Sequence, residues 1–460
     1  MIQSNSAACQ DILVAWYGDD FTGAAATMEV LTFSGLPSVL FLDMPTQDQL
    51  KQFPDLRGIG IASTARTQSP KWMDDNLPAI FSGLDDLSPD LVHYKVCSTL
   101  DSAPHIGSIG RAIDIGTKCL GTQSVPVMIA APKMQRYQCF GHLFAGVNND
   151  VLRLDRHPVM SRHPVTPMME SDVARHICLQ SDQLEGHHIP FTDLKAGLGQ
   201  IPQPETPGGK AVVAIDSIDA ETDAHAGKLI WDARERCRFV VGSQGIEFAL
   251  VAHWQETGEL GVIPPTQSIG RSDRMMSVSG SVSPTTADQI NWSQENGFAC
   301  IEFDATQVCG NPSHIEAEVE RAVASALTAL SHGADPLVYS AAGPDDPAVA
   351  QFRDAVAVSG QDITIANRAV GRALGQVLKS VLEKTGITRS VVSGGDTSGF
   401  VTQQLGIYAL SALAPTIPGA SICRAHSEGD RDGLELALKG GQMGTPDYFG
   451  WVRDGGGVRS

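Results

Sequence analysis

Two adjacent carboxylates, Asp19 and Asp20, stand where the apolar run Ile12 to Tyr17 gives way to the loop Gly18-Asp19-Asp20-Phe21-Thr22-Gly23. Paired carboxylates at a strand end accept hydrogen bonds from polyol hydroxyls or hold a metal, whereas capping the helix that follows needs only one of them. A second loop, Lys95-Val96-Cys97-Ser98-Thr99-Leu100-Asp101, offers an ammonium to a carboxylate and two hydroxyls to an oxyanion. Its plain alternative is a capped helix start. Arg66, in Ser63-Thr64-Ala65-Arg66-Thr67, follows another apolar run. A guanidinium there can clamp a carboxylate through two parallel hydrogen bonds, or simply be a solvated surface charge.

Three further loops lie in the second half. In Ser279-Gly280-Ser281-Val282-Ser283-Pro284-Thr285-Thr286, small residues run into a helix start. Ser281 and Ser283 there mark a place where backbone N–H groups can approach phosphate. Ser393-Gly394-Gly395-Asp396-Thr397-Ser398-Gly399 combines glycines, hydroxyls and one carboxylate at a strand-to-helix junction. Gly394, Gly395 and Thr397 suit a phosphate cradle, and Asp396 a catalytic or metal-facing position; the loop is not a Walker A motif, because no GK[ST] follows. Leu438-Lys439-Gly440-Gly441-Gln442-Met443-Gly444 adds a lysine and a glycine-rich turn, with Gly441 at its centre. No residue set identifies a metal site.

The elements that must position these loops read as alternating strands and helices. Apolar runs at 12–17, 38–42, 58–62, 91–96, 125–131, 211–215 and 239–241 have the continuous character of buried parallel strands, and 24–31 reads as a helix. A second series has strands at 275–279, 299–303, 336–340 and 390–393 and helices at 315–330 and 365–382. The fold class expected is α/β in two domains, each a mainly parallel sheet flanked by helices, with the active site in the cleft between them. The polar, proline-containing stretch 263–273 reads as the linker between domains 1–262 and 274–460. The stretch 135–203, rich in Arg, His and Pro, shows no period and reads as an irregular functional segment or lid. In open α/β sheets ligands sit beyond the carboxyl ends of strands, where all six loops fall.

Lys plus Arg number 33 against 52 for Asp plus Glu, a formal net charge of −19. Such a surface repels phosphate backbones, so nucleic acid is not an expected partner, and an anionic ligand needs a local cationic cluster. Nine cysteines without a C-x-x-C pair argue against a disulfide scaffold or zinc site and fit a reducing cytoplasm. The N-terminus lacks a signal-peptide pattern, and no apolar stretch approaches the ~20 residues that cross a bilayer.

The order of the loops is more specific than any one of them. Asp19-Asp20-Phe21-Thr22-Gly23, Lys95 with Ser98-Thr99, Gly242-Ser243 with Gly245, Ser279 to Ser283, Gly394 to Gly399 and Lys439 to Gly444 together resemble the four-carbon acid sugar kinase family over nearly the whole chain. The resemblance implies an N-terminal domain for a small anionic sugar acid, a C-terminal domain for ATP, and Mg²⁺-dependent phosphorylation of an acid such as threonate, erythronate or 3-oxo-tetronate. For such a transfer, Arg66 and Lys95 would hold the carboxylate and Asp19 and Asp20 would orient hydroxyls. Asp396, by analogy with other sugar kinases, is the first candidate general base and Asp20 the second. A homodimer is compatible with it. Cys97 departs from the Asp that many members carry before the Ser-Thr pair. Two rival readings are a non-catalytic sugar-acid sensor and an NAD(P)-dependent hydroxy-acid dehydrogenase, the latter without a G-x-G-x-x-G after Tyr17.

Overall fold

A computed structural model describes residues 11–147 and 150–459, apart from the side chain of Asp396. The chain divides into two compact units, one ending at Pro264 and the other beginning at Pro265. Residues 258–275 between the last helix of the first unit and the first strand of the second carry neither helix nor strand.

The first unit contains strands β1 (Val14–Gly18), β2 (Ser38–Phe41), β3 (Gly58–Ile61), β4 (Leu91–Lys95), β5 (Ser124–Met128), β6 (Arg136–Cys139), β7 (His142–Val147), β8 (Asp150–Arg153), β9 (Leu184–Ile189), β10 (Lys210–Ile215) and β11 (Phe239–Gly242). The main sheet runs β2-β3-β1-β4-β11-β5-β10-β9, with parallel neighbours throughout. Helices cover such a sheet on both faces, which is why β1, β4 and β5 are buried at every position and read as largely apolar runs, although β4 also carries the buried His93 and Lys95. The helix Pro70–Asp86 illustrates the packing. Ser69 caps it by accepting from the Trp72 N–H, and Met73, Leu77, Phe81 and Leu84 form its buried stripe. The Phe81 ring meets Tyr94 of β4 and Phe239 of β11 edge-on, at 6.1 and 5.3 Å between centroids. Burying a side chain of this size contributes about 1.5–3 kcal/mol.

Register decides where the loops emerge. Gly18 pairs with Lys95, Lys95 with Gly242, Tyr17 with Ile61 and Gly242 with Met128. The loops after β1, β3, β4, β5 and β11 therefore leave one edge of the sheet side by side.

The stretch 135–203 is more ordered than its sequence suggests. β6, β7 and β8 form a small antiparallel sheet, β9 joins the edge of the main sheet, and a short helix, Val173–Cys178, lies between them. These strands span four to six residues and are half-exposed, with only Gln138 buried in β6, so no long apolar run marks them.

The second unit holds β12 (Met276–Ser279), β13 (Phe298–Glu302), β14 (Asp335–Tyr339), β15 (Arg389–Ser393), β16 (Ile407–Ala414), β17 (Ile422–Ser427) and β18 (Glu435–Lys439). Their order is β13-β14-β12-β15-β18-β17-β16. The first five in that order are parallel, and β17 and β16 return antiparallel. Ile290, Leu337, Val391, Ile422, Tyr448 and Phe449 belong to its core. Among the described residues no helix is long and apolar enough to cross a membrane.

Candidate functional site

At the end of β1 the chain places Asp19 inside and Asp20 at the surface. Asp19 is 2 % exposed, and its N–H donates to the Lys95 carbonyl at 2.8 Å, which locks the loop to the end of β4. Asp20 caps the helix Phe21–Thr32, its Oδ1 accepting from the Gly23 N–H at 3.0 Å. Arg66, in the turn after β3, joins the two. Its Nε donates to Asp19 Oδ2 at 3.2 Å, and its Nη2 donates to Asp19 Oδ1 and to Asp20 Oδ1 at 2.7 Å each. Burial pushes the Asp19 carboxyl up, and the Arg66 charge opposes that push. Burial opposes the Arg66 charge in turn, but Asp19, with Cys97 and Asp20, holds it well above the ordinary arginine value.

Lys95 closes the cluster from the other side. It is 1 % exposed, and its ammonium donates to the Val96 carbonyl at 2.7 Å. A Cβ at Gly23 would stand 2.7 Å from Lys95 Nζ and against Asp20 Oδ1, so the cluster requires glycine there. The turn after β4 carries a polar chain: Cys97 Sγ lies 2.9 Å from Thr99 Oγ1, which donates to Asp101 Oδ1 at 3.1 Å. Ser98 sits half-buried in the same turn. Burial keeps the Cys97 thiol above its ordinary pKa despite Arg66, so the position is neutral near pH 7. Asp19, Asp20, Arg66 and Lys95 thus converge, and Cys97, Ser98 and Thr99 flank them. The charges balance within this group, which can present oriented acceptors to hydroxyls while keeping two carboxylates from repelling an acid.

The second unit gathers three loops at the ends of β12, β15 and β18. The Gly280 N–H donates to the Ser393 carbonyl at 3.0 Å, and the Gly394 N–H to the Lys439 carbonyl at 2.9 Å. Gly394 has φ +122°, a conformation that side chains rarely adopt. Ser283 caps the helix Pro284–Glu295, and Thr286 Oγ1 donates to the Gly441 carbonyl at 2.9 Å and to Ser281 Oγ at 3.0 Å. Cβ atoms at Gly280 and Gly441 would collide with Thr397 Oγ1 and Ser281 Oγ respectively. Gln289 pins the third loop by donating to the Met443 and Thr445 carbonyls at 2.9 and 3.1 Å. Ser281, Ser283, Gly394, Thr397 and Gly441 therefore come together, and the exposed Gly395 opens the helix Gly395–Gln404. The side chain of Asp396 lies outside the described residues.

Two cationic residues stand at strand ends near these loops besides those expected as binding residues. Lys439 ends β18 with 1 % exposure; its Nζ donates to the Gly440 carbonyl at 3.1 Å and lies 5.9 Å from the Tyr448 ring centre. Burial lowers its pKa to about 8. Its sequence signal was a lysine closing an apolar run before two glycines. Arg136 opens β6 in the stretch without a visible period, and its signal was only its place a few residues beyond β5.

Family models match both halves of the chain. Residues 14–250 match one described as a sugar-binding N-terminal domain, and residues 276–449 one described as a nucleotide-binding C-terminal domain. The 3-oxo-isoapionate kinase of Paraburkholderia graminis is 44% identical over 455 residues, covering 96% of this chain and 94% of the relative. The chain belongs to the four-carbon acid sugar kinase family. It is accordingly an ATP-using sugar-acid kinase. The kinase is also 28% identical to the 3-oxo-tetronate kinase of Pseudomonas savastanoi pv. phaseolicola, across 95% of this chain and 96% of that one. Among solved structures it is similar to a Salmonella typhimurium LT2 protein carrying the provisional description of a tRNA synthase, with TM-score 0.75 and 26% identity over 96% of this chain and 98% of that chain.

Proposed function

We propose that the kinase transfers the γ-phosphoryl group of Mg·ATP to a hydroxyl of a small 3-oxo sugar acid, and that 3-oxo-isoapionate is favoured over 3-oxo-tetronate. The carrying observation is the Asp19–Arg66–Asp20 cluster at a parallel-sheet edge in a chain that is 44% identical to a 3-oxo-isoapionate kinase. The first unit, expected as 1–262, takes the acid, and the second, expected as 274–460, takes the nucleotide. Asp19 and Asp20 accept from substrate hydroxyls. Arg66 holds that pair, and its Nη1, which has no hydrogen bond among the described residues, remains for the carboxylate. Lys95, Ser98 and Thr99 complete the wall.

The second unit fits the phosphates of ATP on its own geometry. Its glycines let the three loops pack where a Cβ at Gly280 or Gly441 would collide, and Ser393 Oγ is buried without a partner among the described residues. Ser281, Ser283, Gly394, Gly395, Asp396, Thr397 and Gly441 line this cradle, and the Lys439 ammonium faces the phosphate charge. Among the described residues no group of three or more His, Cys, Asp or Glu side chains suits a metal. Mg²⁺ would enter with the nucleotide as Mg·ATP, where it would neutralise charge on the transferred group.

Phosphoryl transfer asks mainly for positioning. One carboxylate takes the proton as the hydroxyl oxygen bonds to phosphorus and the bridging bond to ADP breaks. The candidates remain Asp396 and Asp20, whose Oδ2 has no hydrogen bond among the described residues.

The test incubates the kinase with Mg·ATP and a panel of threonate, erythronate, 3-oxo-tetronate and 3-oxo-isoapionate. ADP release should match a phosphoryl mass gain, fastest on 3-oxo-isoapionate, and excess chelator should stop it. ATP consumption without a phosphorylated acid would overturn the reading.

A further inference from the structure

Arg136 is an arginine without an acid. Its Nη1 donates to the carbonyls of Met134, Gln135 and Gly146 at 3.3, 3.2 and 3.5 Å, and its Nε is buried with no hydrogen-bond partner. Among the described residues no carboxylate lies within ion-pair distance of it. A buried N–H without a partner is rare in a native fold and costs roughly 1–3 kcal/mol. In a chain of formal charge −19, a guanidinium kept apart from every carboxylate is a position open to an anion.

The backbone places Arg136 beyond the end of β5, on the sheet edge from which the loops after β1, β4 and β11 also emerge. The Val96 N–H, just past β4, donates to the Gly242 carbonyl at 2.7 Å. The Ser243 N–H donates to the Met128 carbonyl at 3.1 Å, and Ser243 Oγ to that of Ile129 at 2.8 Å. Ala131 and Arg136 then exchange two backbone hydrogen bonds, at 2.9 and 3.2 Å. The approach is too close for a side chain at Gly245, whose Cβ would strike the Ala130 carbonyl. Arg136 thus hangs over the same sheet edge that carries Asp19, Lys95 and Cys97. Cys97 lies within electrostatic reach of both Arg66 and Arg136. Burial pulls the Arg136 pKa down, and no Asp or Glu among the described residues opposes it.

We propose that Arg136 is the specificity-determining residue for substrate charge: its guanidinium shares with the Nη1 edge of Arg66 the carboxylate of the acid whose hydroxyls Asp19 and Asp20 hold. This rests on the sugar-acid kinase reading. Three N–H groups of Arg66 are already engaged by Asp19 and Asp20, so Arg66 alone offers an acid only its Nη1 edge. The neutral Cys97 is part of the device. In this chain, the carboxylate that many family members carry at that position would compete with the substrate's own for Arg136.

The experiment uses the full chain and the acid that wild type turns over fastest, with the primary amide of that acid as the neutral probe. Arg136→Ala should raise KM for the acid by about 10- to 150-fold, the effect of one charge-assisted hydrogen bond. KM for ATP and kcat/KM for the amide should stay near wild type, and added guanidinium should restore part of the loss. Cys97→Asp should raise the acid KM similarly, and Cys97→Ser should not. If Arg136→Ala does not fold, Arg136→Gln and Arg136→Lys serve, with Lys the milder. An unchanged acid KM, or equal losses on acid and amide, would overturn the proposal while leaving the kinase reading intact. A wild type that phosphorylates no acid would remove both.

Discussion

Arg66 meets two carboxylates at once, and this changes what its removal should do. As a sequence it reads as a free clamp for a substrate; in the structure it is also the counter-charge that lets Asp19 lie buried beside Asp20. Breaking a buried pair from one side leaves the other charge uncompensated, at a cost of about 3–5 kcal/mol. Arg66→Ala should therefore lower the melting temperature, raise KM for the acid and also weaken turnover of the neutral amide, because the hydroxyl acceptors lose their alignment. KM for ATP should hold. Steady-state kinetics on both substrates, with a thermal melt, checks this; loss on the acid alone would mean that Arg66 does not hold the Asp pair.

The identity of the base is a second residue-scale question. Asp396→Asn and Asp20→Asn keep shape and remove basicity. The residue that accepts the proton should lose about 10²- to 10⁴-fold in kcat when changed, with little change in nucleotide affinity. Single-turnover rates of the two variants decide it. A severe Asp20→Asn beside a near-silent Asp396→Asn would place the base in the first unit.

At the scale of elements, the short helix Val173–Cys178 braces the turn after β4. His176 Nε2 lies 2.9 Å from Ser102 Oγ, which donates to the carbonyl of Leu100, a residue held at φ +54°. Burial lowers the His176 pKa to about 4 from an ordinary 6.5. The unfolded chain then binds more protons between those values, so this contribution is whole above pH 6.5 and is lost as pH falls toward 4. Asp223, raised by burial to about 6, acts in the opposite sense, so the difference between variants is the useful quantity. His176→Gln should lose less melting temperature than wild type between pH 7.5 and pH 5. Parallel losses would contradict the role given to His176.

Most parallel strands were legible because strands packed between helices are mainly apolar even where a His, Lys or Ser is buried in them: β1 to β5 and β12 to β15 each lie within two or three residues of their expected bounds. The strands β6 to β9 were not, since short half-exposed strands alternate His, Glu and Arg with apolar residues. The antiparallel return of β16 and β17 left no mark either, because pairing direction is not written in the apolar pattern of one strand. Arg136 was obscured for the same reason as the strand that carries it. Asp19, Asp20, Arg66 and Lys95 could be read as a set only because each follows a strand whose end is sharp in sequence.

At the scale of the whole molecule, the account assigns one ligand to each unit. On the proposed function, the acid would meet the loops after β1, β3 and β4, and the nucleotide those after β12, β15 and β18. The direct test is calorimetric titration of the full chain with ATP and, separately, with the preferred acid, using wild type, Asp20→Ala and Gly441→Val. The new side chain in Gly441→Val would strike Ser281 Oγ within the phosphate cradle. The account predicts that Asp20→Ala binds ATP normally and loses the acid, while Gly441→Val binds the acid normally and loses ATP. The crossed pattern, with Asp20→Ala losing ATP and Gly441→Val losing the acid, would contradict it.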